Sequence, residues 1–227
     1  MRLIARLDIK NEHVIKGIHL EGLRKVGDPN TLARRYYEQG IEEIVFMDAV
    51  ASLYDRNNLF HIVEAACRNV FVPIAVGGGM RSVEDVSKAL GAGADKVVIN
   101  TGAVQNIKLI EQVAHKFGSQ CLVGSIEAKR QANGWNAYID NGREPTNLDV
   151  VAWARTLQEV GCGEILLTSV DQEGTCRGFD IDLVEQVNAA VNRPVIVSGG
   201  YGKPEHLKAL LSRVEPSAVA FAAVLHY

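Results

Sequence analysis

The sequence predicts an α/β fold, a closed parallel (β/α)8 or TIM barrel with a twofold internal half-barrel repeat, on three observations. Eight short β-rich apolar runs alternate with stretches of helical periodicity, strand then helix throughout. The runs lack strict apolar-polar alternation, as strands covered on both faces do. At 227 residues the chain sits near the size of one such barrel, which takes about 250 residues, so residues 1–227 are read as one domain.

Taken in order, strands are expected over residues 3–7, 44–47, 73–76, 96–99, 121–126, 164–167, 194–197 and 218–222. Helices are expected over residues 31–39, 59–68, 83–90, 104–116, 148–160, 181–191 and 205–211. Two stretches break the rhythm. Residues 9–29, with Lys16, Gly17, Gly22 and Arg24, are too long for an ordinary βα loop and read as a lid or binding loop over the active site. Residues 131–146 hold an Asn141-Gly142 turn between two short strand candidates, a hairpin expected on the rim after the fifth strand. The chain also repeats: Glu43-Ile44 returns as Glu164-Ile165, and Pro73 returns as Pro194 at the same offset. Asp8 has its counterpart near Glu127. In a barrel of two such halves, a feature at one strand end recurs across the mouth.

Apolar residues at 47%, charged residues at 22% and a net charge of -3 are ordinary globular values, with nothing basic enough to point to nucleic acid or an anionic membrane. The charges inside MRLIARLDIK argue against a signal peptide or membrane span. Cys67, Cys121, Cys162 and Cys176 lack metal-like spacing and read as reduced thiols of a cytoplasmic protein. The six histidines form no metal triad, so no metal and no other cofactor is called for.

Phosphate needs several convergent donors, and backbone N–H groups at a helix start supply them where glycine leaves room. Gly77-Gly78-Gly79 closes the third strand and Asn100-Thr101-Gly102 the fourth, forming one anion cup. Ser198-Gly199-Gly200 with Gly202 closes the seventh and Ala222-Ala223 the eighth, forming a second cup opposite. Tight βα turns alone also call for such glycines, but barrel phosphate sites favour the loops after strands seven and eight. Asp8 ends the first strand and Glu127 the fifth, facing each other between the cups, as acid and base chemistry on a stretched substrate requires. Asp48, Asp171 and Glu173 add acids to the same rim, where capping a helix or pairing with a lysine is the alternative role.

The segments ARLDIK, VIKG, GDP, VGGGM, ADKVVINTGAV, FGSQ, GEILLTSVD and SGGYGK together resemble the cyclase subunit of imidazole glycerol phosphate synthase, over about residues 3–226. The resemblance implies that ammonia from a separate glutaminase subunit crosses the barrel to a bis-phosphate formimino-aminoimidazole carboxamide ribotide. The products are imidazole glycerol phosphate and aminoimidazole carboxamide ribotide, in histidine biosynthesis. It makes Asp8 and Glu127 the catalytic pair and Lys16 a substrate contact. It puts Gly79, Asn100 and Thr101 in one phosphate site and Gly174, Ser198, Gly200 and Ala222 in the other, with Asp48 and Glu173 on the substrate-binding rim. Arg2, Glu43, Lys96 and Glu164 match a charged ring at the barrel floor, which with Asp95 becomes an ammonia gate and docking face for the glutaminase. From the residues alone, a stabilising salt-bridge ring is the favoured reading, and the resemblance reverses that preference.

Departures from that family also stand out. Glu127 and Glu173 replace aspartates, Ala223 replaces a serine, and the sequence stops at Tyr227 where an eighth helix is expected to follow. LVGSIEAKR and RVEPSAVAF resemble relatives that deliver ammonia for amidation of a surface-polysaccharide sugar. The sister isomerase of histidine biosynthesis, with the same two-phosphate design, is a third alternative, and the floor ring argues against it.

Overall fold

The computed structural model of the chain describes residues 1–51 and 59–226, and residues 22 and 23 by their backbone only. Tyr227, and with it the point at which a further helix is expected, lies outside the described residues. Eight parallel strands close into the predicted barrel: β1 (Arg2–Lys10), β4 (Glu43–Asp48), β5 (Ile74–Gly77), β6 (Lys96–Ile99), β7 (Leu122–Gln131), β10 (Glu164–Ser169), β11 (Val195–Ser198) and β12 (Ala218–Phe221). Pairing of β7 with β10 and of β12 with β1 completes the circuit.

Among the described residues the helices are α1 (Pro29–Glu38), α2 (Phe60–Ala66), α3 (Val83–Gly91), α4 (Thr101–Gln105), α5 (Ile107–Phe117), α6 (Val150–Glu159), α7 (Ile181–Ala190), α8 (Pro204–Leu211) and α9 (Ala223–His226). Their starts follow from local chemistry. Asp28 accepts from Thr31 N ahead of Pro29, Ser82 and Asp85 form a reciprocal capping box, and Asp149 accepts from Ala152 N. The single helix expected over residues 104–116 is instead two. Asn106, at φ -149 and ψ 90, takes extended backbone between α4 and α5, a break that the apolar periodicity runs straight through. The helix expected from residue 148 begins at Val150, because residues 148 and 149 belong to a strand.

The two long insertions are the same device used twice. Residues 9–29, expected as a loop, fold into strands: β1 runs on into an antiparallel pair with β2 (His13–Ile18), which pairs with β3 (Glu21–Gly27). Opposite, β7 runs on into β8 (Gly134–Ile139) and β9 (Glu144–Asp149). His19 and Leu20 turn the first hairpin at φ 53 and 63, and Asp140, Asn141 and Gly142 turn the second at φ 52, 60 and 74. Left-handed residues in such turns match the twist of the flanking strands.

Side chains alternate along each strand, so every second residue faces the bore. On β1 these are Arg2, Ile4, Arg6 and Asp8. Ile4 joins Val45, Ala75, Val98, Val123, Leu166 and Ile196 in an apolar layer, which separates a charged floor from a polar mouth. The other strand faces pack against the helices, with Leu7, Phe46, Ile74 and Ile126 in one core with Leu32, Ile62 and Leu157. Each such side chain contributes about 1.5–3 kcal/mol on burial. Among the described residues no helix is long and apolar enough to cross a membrane.

Candidate active site

Four ionised side chains crowd the mouth beside β1. Arg6 Nε donates to Asp8 Oδ1 at 2.8 Å, and Arg6 Nη1 donates across the bore to Thr168 Oγ (2.9 Å) and Ser198 Oγ (3.3 Å). Lys16, carried inward by β2, places Nζ 3.6 Å from Asp8 Oδ2 and pairs directly with Glu173. All of these groups are buried. Burial works to raise the Asp8 carboxyl, but the adjacent Arg6 guanidinium and Lys16 ammonium outweigh it and hold Asp8 below the usual carboxylate range.

Glu127 faces this cluster from β7 with a different set of neighbours. Its Oε2 accepts from Gly142 N at 2.7 Å, at the tip of the second hairpin. Burial pushes its carboxyl up to about 7, only partly offset by the more distant Arg6 and the Gly142 bond. Near neutral pH, Asp8 at the end of the first strand is therefore held ionised, while Glu127 on the fifth strand is close to its titration midpoint, so it can take or give a proton beside a fixed charge.

The first glycine cup opens into a cavity of about 250 Å³, whose lining includes Gly79, Asn100, Thr101 and Asp48, with Arg6 and Glu127. Asn100 Nδ2 donates to Tyr138 O, and Thr101 Oγ accepts from Asp140 N, so the second hairpin rests on this cup. Asp48 Oδ1 accepts from Val50 N, and burial raises its carboxyl. Across the mouth a wider cavity is lined by Lys16, Gly17, Arg24, Gly174 and Ala223. Gly174, at φ 74, packs so closely on Gly17 that an added Cβ would lie 2.3 Å from Gly17 O. Ser198 and Gly200 fall outside that lining: Ser198 accepts from Arg6, and Gly200 O accepts from Gly178 N. Ala222 is buried at the end of β12.

At the floor, Arg2 Nη1 and Nη2 reach Glu43 and Glu164 at 2.8 Å each, and Lys96 Nζ bridges the same two carboxylates at 3.0 and 3.1 Å. The four charges close a ring below the apolar layer. Burial raises the Glu43 carboxyl, against the pull of Lys96 and Arg2. Asp95 lies beside the ring without joining it, accepting from Ile74 N at 2.8 Å.

Arg6 and Thr168 are mouth residues that reading the sequence did not single out, and the Asn141-Gly142 turn that it placed on the rim also reaches inward to Glu127. Arg6 carried a usable signal: it stands two residues before Asp8 in a strand buried on both faces, so the two share the bore side. The Gly142 bond had no such signal, because it depends on how far the second hairpin folds inward.

A closed barrel with its polar side chains and cavities gathered at the C-terminal strand ends defines a (β/α)8-barrel enzyme. The family described as "Histidine biosynthesis protein" matches residues 2–227. Imidazole glycerol phosphate synthase subunit HisF of Legionella pneumophila is 61% identical over 206 residues, covering 90% of this chain and 97% of that protein. The subunit HisF of Myxococcus xanthus is 48% identical over 225 residues, covering 99% and 89%. That of Dehalococcoides mccartyi strain CBDB1 is 45% identical over 226 residues, covering 100% and 89%. The chain belongs to the imidazole glycerol phosphate synthase subunit HisF family.

Proposed function

We propose that this chain is the cyclase subunit of imidazole glycerol phosphate synthase, acting in the cytoplasm with a glutaminase partner that supplies ammonia. One observation carries the reading: two buried carboxylates, Asp8 and Glu127, face each other across the mouth between two glycine-lined cavities. A bis-phosphate substrate laid between the cavities puts its reacting centre between an ionised Asp8 and a Glu127 poised to exchange a proton near neutral pH, which general acid–base catalysis requires. Lys16 and Arg6 supply positive charge beside that centre. The ring of Arg2, Glu43, Lys96 and Glu164, with Asp95 next to it, forms the floor on which the glutaminase docks and through which ammonia enters.

A second reading is favoured by two residues. Glu127 stands in the place of the family's aspartate, and Arg6 holds Asp8 in a buried ion pair. A barrel in which cyclase chemistry has lapsed would serve chiefly to deliver ammonia for amidation of a surface-polysaccharide sugar. Ammonia-dependent formation of imidazole glycerol phosphate by the purified protein separates the two. Turnover of about 1 per second or more supports the cyclase. Undetectable turnover in folded protein that still binds a glutaminase overturns it in favour of ammonia delivery.

A further inference from the structure

The two opposed carboxylates differ in what holds them, and of the two cations that make the difference Arg6 is the nearer. Asp8 has cations on both oxygens, Arg6 Nε at 2.8 Å and Lys16 Nζ at 3.6 Å. Glu127 forms no ion pair among the described residues, and its hydrogen bond comes from the neutral Gly142 N–H. Arg6 is anchored to do this. Its guanidinium is tied to Thr168 and Ser198 on β10 and β11, across the bore from its own strand. A planar fork fixed at three points cannot swing toward Glu127 without abandoning those partners.

We infer that Arg6 is a positioning residue that commits Asp8 to the role of a fixed anion and leaves Glu127 as the single carboxyl of the pair that exchanges a proton with the bound ligand. This rests on the proposed cyclase reading for the reaction, but the division between the two carboxyls belongs to the unliganded protein. Other charged groups share the space. Asp8 also faces Glu173 behind Lys16, with His226 on α9 near enough to favour its charged form. Glu127 also faces Asp140 on the second hairpin, and Asp48 and Arg81 line the same cavity. Arg6, from farther off, and the Gly142 bond favour a negative charge on Glu127, Asp8 and Asp140 disfavour it, and burial is the largest cause that keeps its carboxyl raised. The arrangement explains how the longer Glu127 is accommodated: it reaches the Gly142 amide at the hairpin tip.

The test is a carboxyl-carbon NMR titration of the unliganded protein, with signals assigned through Asp8→Asn and Glu127→Gln. In the wild type the two carboxyls titrate far apart, Asp8 below the ordinary carboxylate range and Glu127 above it. Arg6→Gln is expected to raise the Asp8 titration by about one pH unit or more, the usual effect of losing an adjacent cation. Arg6→Lys, which keeps the charge, is expected to restore most of the separation, an effect that simple loss of packing does not produce. Coincident titration of the two carboxyls in the wild type overturns the inference even if Arg6→Gln fails to fold, as does an unmoved Asp8 titration in folded Arg6→Gln. Because no substrate is present, a well-separated pair in a protein without cyclase turnover upholds this inference while overturning the proposed function.

Discussion

Replacing Glu127 by Gln should make the protein more stable at high pH, and the size of the gain follows from its surroundings. Glu127 is 5% exposed, and its carboxyl is raised from 4.5 to about 7 in the fold. The folded state therefore keeps a proton that the unfolded chain loses, and stability falls as pH rises through that interval. Below pH 4.5 the carboxyl is protonated in both states and contributes no difference. Above about 7 the deficit is complete, at about 3 kcal/mol on the conversion of 1.36 kcal/mol per unit. Gln keeps the shape and an acceptor for Gly142 N but carries no charge. The variant should match the wild type near pH 4 and exceed it by about 2–3 kcal/mol near pH 8.5. Urea unfolding followed by the fluorescence of buried Trp135 and Trp153 reads this, as a midpoint shift on the order of 1 M. A stability difference that stays constant between the two pH values would refute the reasoning, because a fixed packing effect has no reason to track protonation.

Two further substitutions probe the floor and the hairpin. Lys96→Met leaves Glu43, which is 1% exposed, with Arg2 as its remaining cation, and should cost about 3 kcal/mol in the same urea assay; a change below about 0.5 kcal/mol would mean that the ring stores no such energy. Gly174→Ala forces a Cβ to within 2.3 Å of Gly17 O at a positive φ and should cost about 2–3 kcal/mol while loosening the strand that carries Lys16. Unchanged unfolding would show that β2 yields without strain.

Much of the barrel was legible because its strands differ so clearly from its helices. Buried parallel strands read as apolar runs, and repeat elements such as Glu43-Ile44 and Glu164-Ile165 fall at matching places in the two halves. The break at Asn106 was not, since α4 and α5 each keep an apolar face and the join is set by backbone angles. The first insertion hid its strands for a related reason. His19 and Leu20 adopt left-handed backbone without the Asn-Gly signal that marked the second hairpin. At the mouth, Asp8, Glu127 and the first glycine cup could be placed by strand ends alone. The roles of Arg6 and Gly142 depend on which side chain reaches across the bore, and that is decided by packing.

The central claim, that Asp8 and Glu127 form the working pair of a cyclase, is tested most directly by ammonia-dependent turnover of Asp8→Asn beside wild type, at saturating bis-phosphate substrate and excess ammonia. Asn preserves the side-chain shape while removing the charge that Arg6 and Lys16 enclose. Wild type is expected to turn over, and the folded variant to fall by about 10²- to 10³-fold, the usual cost of removing one charge fixed at the reacting centre. Near-normal turnover by folded Asp8→Asn would contradict the account.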